Sequence, residues 1–101
     1  MNSSVRSFLK AKAQNLKPVV MVGKGGVDPR IVTALDEALT SHELVKVKFQ
    51  AFKDEKRTLA EQLAVDTKSE LIGIMGFIAT FYRDSENHLM HFPKELLRKG
   101  E

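Results

Sequence analysis

Val19-Val20-Met21-Val22-Gly23-Lys24-Gly25-Gly26-Val27-Asp28-Pro29 decides the fold, because this one stretch holds a strand, a tight loop and a helix start. Val19 to Val22 form a short, continuous apolar run, mostly β-branched, as in a strand covered on both faces. Asp28 suits an N-cap and Pro29 the first helical position, so a helix opens there. Between them the glycines let the backbone turn tightly and approach another molecule, and Lys24 puts a positive charge at the tip. A phosphate is the natural guest. It belongs to a nucleotide, to RNA, or to nothing at all if the loop is only a turn.

Working outward from the loop, the chain alternates helical and strand patterns with short connections and no internal repeat. Upstream, Ser4 caps a predicted helix whose apolar positions Val5, Phe8, Leu9, Ala13 and Leu16 keep helical spacing, and Pro18 ends it. Arg6, Lys10, Gln14 and Lys17 fall in one stripe beside the apolar face, a candidate phosphate-binding edge. Lys12 falls inside the apolar arc, so it snorkels outward or lies near the arc's solvent edge. Downstream, Ile31, Ala34, Leu35, Ala38 and Leu39 form the buried face of a second helix ending near Ser41 or His42. Leu44 to Gln50 then alternate, with Val45, Val47 and Phe49 on one side and Lys46 and Lys48 on the other, giving a strand with one wet, basic face.

A third helix is expected from about Glu55 to Lys68, capped by Asp54, with Leu59, Ala60, Leu63 and Ala64 inward. The last third reads as strands: Leu71 to Met75 and Phe77 to Arg83 flank Gly76, and the turn Asp84-Ser85-Glu86-Asn87 leads into a short segment, His88 to Phe92. Phe49, Phe77 and Phe81 are expected in the core. After Pro93 the chain carries Lys94, Glu95, Arg98, Lys99 and Glu101, read as a frayed terminal turn. The expected architecture is a single small α/β domain, order α-β-α-β-α-β-β, with helices packed on a mixed four-stranded sheet over residues 1–95 and a short charged tail at 96–101.

Composition narrows the function classes. The 101 residues suffice for one core and one site, and 43% hydrophobic with 29% charged residues describes an ordered globular chain. Without cysteine there are no disulfides, thiolate metal sites or cysteine nucleophile. No apolar run approaches the roughly 18 residues of a membrane span and the N-terminus has no secretory pattern, so a cytoplasmic protein without a membrane partner is expected. The net charge is +3, but residues 1–27 hold five basic side chains and no acid, against 11 basic and 13 acidic ones in the remainder. The positive pole is the segment that leads into the glycine loop, which points to an anionic partner or, more blandly, to a solvated helix face.

Spacing removes the enzymes that glycine loops usually serve. A P-loop needs GxxxxGK followed by Ser or Thr, which Lys24-Gly25-Gly26-Val27 does not supply, and the third glycine of a dinucleotide fingerprint falls on Asp28. His88 and His91 sit at odd spacing in a segment read as strand, on opposite faces, so no metal site is expected. No nucleophile and base can be paired, no cofactor is implied, and no small-molecule substrate or phosphate-ester chemistry is expected. What fits is GxxG, Gly23 to Gly26, the loop form that clamps the RNA backbone in KH modules, with a plain strand-to-helix turn as the alternative.

Leu9-Lys10, Ala13, Leu16-Lys17-Pro18-Val19-Val20, Val22-Gly23-Lys24-Gly25-Gly26 and His42-Glu43-Leu44-Val45-Lys46-Val47-Lys48-Phe49 resemble the signature of the CRM domain, the chloroplast RNA splicing and ribosome maturation family, in its bacterial stand-alone YhbY-like form. The similarity continues through Gly73, Gly76 and Tyr82-Arg83 to Pro93. It implies a fold similar to the C-terminal domain of translation initiation factor three, and association with ribosomal RNA of large-subunit precursors. On that resemblance the RNA-binding residues are Gly23, Lys24, Gly25 and Gly26 of the loop with Lys10, Lys17, Lys46 and Lys48; Arg6 joins them from the charge stripe. Asp28, just behind the loop, caps the helix and repels a close phosphate, so contact is expected to centre on Lys24 and the loop amides. The expected function is a non-enzymatic RNA-binding protein that assists large-subunit assembly. The competing reading is a protein-interaction module for a ribosomal protein or assembly factor.

Overall fold

A computed structural model describes residues 1–93, and the terminal turn expected after Pro93 lies outside them. The chain forms α1 (Ser3–Ala13), β1 (Val20–Val22), α2 (Pro29–His42), β2 (Leu44–Phe49), α3 (Lys56–Thr67), β3 (Glu70–Met75) and β4 (Ile78–Tyr82), the order read from the sequence. The four strands make one mixed sheet in the order β1-β2-β4-β3. β1 pairs parallel to β2 across the α2 crossover, while β2 with β4 and β4 with β3 are antiparallel. Alternation along β2 divides the core. Val45, Val47 and Phe49 point to the side where Leu35, Leu39, Ala60 and Leu63 of α2 and α3 pack, and Leu44 points to the other side, against Leu9 and Ala13 of α1. Phe49 and Phe81, fully buried, each contribute about 1.5–3 kcal/mol through lost apolar exposure.

The differences from the sequence reading have local causes. Asn2, not Ser4, caps α1, accepting from the Val5 amide at 2.8 Å. The helix also stops at Ala13: tight i to i+3 bonds from the Gln14 and Leu16 amides close it before Pro18 forbids continuation, and Leu16 is left exposed. α3 begins without a side-chain cap, because Glu55 rather than Asp54 occupies the N-cap and its amide bonds back to the Phe52 carbonyl. β1 is covered on one face only. α1 packs over β2, β3 and β4, and Met21 on β1 is left exposed.

Two further expectations fail near the C-terminal end. His88 to Phe92 is not a strand but an irregular segment laid over α1, with Phe92 packed 5.4 Å from the Phe8 ring and edge-on, 5.9 Å, to Tyr82. Phe77 is not core: β3 ends at Met75 and β4 starts at Ile78, so Gly76-Phe77 is the turn, and the ring falls beyond the sheet. Gly76 supplies the left-handed conformation that this turn needs, at φ +59°.

Candidate functional site

The glycine loop sits where strand direction and helix direction meet. β1 and β2 run parallel, so the connection from β1 to α2 (residues 23–28) and that from β2 to α3 (residues 50–55) leave the sheet at the same end, the carboxyl ends of the two strands. Open α/β sheets bind their ligands at that end. The β3–β4 turn joins them there, since Phe49 donates its amide to the Phe77 carbonyl at 2.7 Å while Gln50 donates to Val22 at 2.9 Å.

Within the loop, the Gly26 amide donates to the Gly23 carbonyl at 3.0 Å, making a turn with Lys24 and Gly25 at its corners, both exposed. The glycines have different duties. Gly26 has φ +73° and a Cβ there would stand 3.5 Å from the Phe52 ring, so the backbone itself requires glycine. Gly23 and Gly25 lie outside the left-handed region. A Cβ on Gly23 would meet nothing within 4 Å, and one on Gly25 would make ordinary contact, 3.7 Å, with Oδ2 of Asp28. The fold does not need those two to be bare.

Asp28 explains how the loop and α2 share their charges. Its Oδ1 accepts from the Arg30 and Ile31 amides at 3.0 and 3.1 Å, and its Oδ2 pairs with the Arg30 guanidinium at 3.2 Å. The Ile31 amide first, then the Arg30 side chain, hold the Asp28 carboxyl below its ordinary value. The first amides of α2 are therefore occupied by Asp28, and an anion approaching the loop meets the amides and side chain of residues 23–26 instead. Arg30 offsets part of the repulsion expected of Asp28.

The other basic candidates fall on the α1 side of the sheet. Lys46 and Lys48 lie on one face of β2, with Lys48 exposed and Lys46 half-buried. Lys10 and Gln14 of α1 line one groove with Lys46, and Lys17 lines a second groove with it, so Lys46 links Lys10 to Lys17. Gly73 makes room for this arrangement, because a Cβ there would come 3.0 Å from Cε of Lys10. Lys12 snorkels as expected, its ammonium 5.5 Å from the Phe8 ring centre. Arg6 is set apart. Its Nη1 donates to the Leu71 and Ile72 carbonyls at 2.6 and 2.9 Å, covering the bulged edge strand β3 away from the loop.

Sequence reasoning missed the two residues that organise the opposite end. Glu43 follows α2 with φ 66°, in place of the glycine that usually ends a helix, and it is fully buried. Its carboxylate accepts from the Ser85 hydroxyl and from the amides of Ser85, Leu89 and Met90, each at 2.9 Å. Burial alone pushes its pKa up, but the Ser85 hydroxyl and the three amides outweigh burial and leave it below the ordinary 4.5. Arg83 spans β4, α2 and α3, donating to Oδ1 of Asp36, the Asp36 carbonyl, the Thr40 hydroxyl and the Thr67 carbonyl. Burial, then Asp84 and Glu43, push the Tyr82 hydroxyl up to about 12, so it stays protonated. The only sequence hints were an acid wedged between a helix and an apolar strand, and an arginine ending β4.

Among the described residues, no group of three or more His, Asp or Glu side chains could hold a metal ion, and no helix is long and apolar enough to cross a membrane. The family model described as the CRS1 / YhbY (CRM) domain matches residues 1–83. The Probable RNA-binding protein YqeI of Bacillus subtilis is 36% identical over 90 residues, 87% of this chain and 94% of its own length. An RNA-binding protein of Haemophilus influenzae is 31% identical over 96 residues, 94% of this chain and 97% of its own. The solution structure of the hypothetical protein SAV1595 from Staphylococcus aureus superposes with a TM-score of 0.79 at 34% identity, covering 92% of this chain and 99% of that one.

Proposed function

This chain belongs to the CRS1/YhbY (CRM) domain family, and on that premise we propose that it is a non-enzymatic RNA-binding protein of the cytoplasm, one domain over residues 1–95, that contacts ribosomal RNA and assists large-subunit assembly. The observation that carries the RNA reading is the pair Gly23 and Gly25, neither in a conformation that requires glycine, Gly23 facing open space and Gly25 with room for ordinary contact to Asp28, beside the exposed Lys24. A phosphodiester backbone makes use of that freedom: it approaches the loop amides where a side chain would stand in the way, and Lys24 neutralises it. Lys48, Lys46, Lys10 and Lys17 continue the contact along the open face of the sheet, with Arg6 at its margin.

If about four of these side chains neutralise phosphates, log affinity falls with log salt at a slope of roughly −3, from about 0.7 per contact on single strands. Filter binding across a salt series reads this slope, and a value near zero contradicts the proposal. Cross-linking in cells with sequencing of the bound fragments tests the partner. Enrichment on large-subunit precursor RNA supports the assembly role, and enrichment on messenger RNA removes it.

One observation favours a second reading. Met21, Lys48, Ile78 and Met75 share a row across the uncovered part of the sheet, and Met21 and Met75 are strongly exposed. A ribosomal protein or assembly factor could dock there. Such a complex survives nuclease treatment, whereas one held together by RNA does not.

A further inference from the structure

The aromatic ring at the β3–β4 turn lies outside the two core clusters. Phe77 is 44% exposed although the main chain that carries it is fixed, by the bond from the Phe49 amide on one side and by the Gly76 turn on the other. Two ammonium groups lie over the ring, Lys53 Nζ at 4.3 Å and Lys56 Nζ at 5.1 Å from its centre. A phenyl ring held this way keeps part of its π-surface in solvent with two cations beside it.

Its position relates it to the glycine loop. Val22 and Phe77 accept from consecutive amides of β2 on opposite sides of that strand, so their backbones lie about 10 Å apart, two inter-strand spacings. Gly23 is the next residue after Val22. Phe52, itself half-exposed and held at φ +58°, lies against Gly26. The loop end therefore offers, side by side, a place for a phosphodiester backbone and an exposed ring with cations on it.

We propose that Phe77 is a stacking platform for an unpaired RNA base next to the backbone held by residues 23–26, with Lys53 and Lys56 facing the phosphates of the stacked nucleotide; this rests on the RNA reading above. Base stacking on an exposed ring tolerates any sequence, because every base has a π-face. Asp54 and Glu55 stand between the two lysines, so net charge in this turn is low and the ring, not electrostatics, supplies the recognition.

The test uses the full chain with a fluorescein-labelled single-stranded RNA of about twelve nucleotides, mixed in sequence, and a duplex of the same length. Phe77→Ala weakens single-strand binding roughly tenfold. It leaves the salt slope and the duplex affinity unchanged, since duplex bases are already stacked. Phe77→Trp restores affinity, and because the chain has no other tryptophan its emission reports the site, quenched when RNA is added. Should Phe77→Ala also lower the melting temperature, quenching in Phe77→Trp decides: quenched supports stacking, unquenched overturns it. Equal binding by the parent and Phe77→Ala overturns the platform while leaving the RNA reading in place. Failure of the parent chain to bind either RNA removes both.

Discussion

The two ends of the sheet are built on opposite terms. At the Leu44 end the buried and half-buried charges are held by partners: the Glu43 carboxylate takes four donors from residues 85–90, and Arg83 binds α2 and α3 through four acceptors. At the Phe49 end the chain leaves two glycines bare, Lys24 exposed, and Phe52 and Phe77 partly in solvent. A buried carboxylate with four bonds is a feature of stability, since an unpaired one would cost several kcal/mol. Rings left partly in solvent and glycines in ordinary conformations contribute less to folding than that network. The contrast teaches that this domain is held at one end and available at the other, so substitutions at the two ends should affect different measurements.

The largest break in that division is at Glu43. Glu43→Ala removes one acceptor from four donors and is expected to lower stability by about 3 kcal/mol in urea unfolding, with RNA affinity of the folded protein unchanged. The same group sets the acid limb. Its folded pKa lies below the ordinary 4.5, so its contribution is complete above about pH 4.5 and is lost as pH falls through the lowered folded value. Glu43→Gln should flatten that limb in melting curves taken across pH.

The mirror image is the pair Lys24→Glu with Gly23→Asp, which puts two negative charges where a phosphate would lie. Affinity should fall by roughly a hundredfold or more, as like-charge juxtaposition at an interface costs several kcal/mol, with circular dichroism and melting temperature almost unchanged. A collapse of the fold would instead make the loop only a turn.

The glycines then separate the two duties within one loop. Gly26→Ala, at φ +73°, should destabilise by about 1–2 kcal/mol in thermal melts. Gly23→Ala should be neutral or stabilising by up to about 1 kcal/mol, because it restricts only the unfolded chain, and yet weaken RNA binding. The smallest effect is expected from Asp28→Asn, which keeps the cap but removes a charge behind the loop: RNA binding should tighten roughly two- to fivefold, with a slightly lower melting temperature because the charged form favoured by Ile31 and Arg30 is lost.

The loop end was legible in the sequence and the locked end was not, for a physical reason. Val19–Val22, the glycines and Asp28-Pro29 announce strand, turn and helix through neighbours in the chain, and the alternation of Leu44 to Phe49 marks its buried face the same way. Glu43 acts on residues 42 to 47 positions away, and no local pattern tells a solvated acid from one that amides of a distant segment will enclose. The backbone bonds of Arg6 were hidden for the same reason, since the carbonyls it covers belong to β3. Phe77 escaped because one residue of register decides whether a ring ends a strand or starts a turn.

Photo-cross-linking of the protein to RNA in cells, followed by mass-spectrometric mapping of the RNA-bearing peptides, tests the central claim most directly. The division of the molecule predicts adducts within residues 10–26, 46–56 and 77, and none within residues 83–89. Adducts concentrated on 83–89, or spread evenly over both ends, would contradict it.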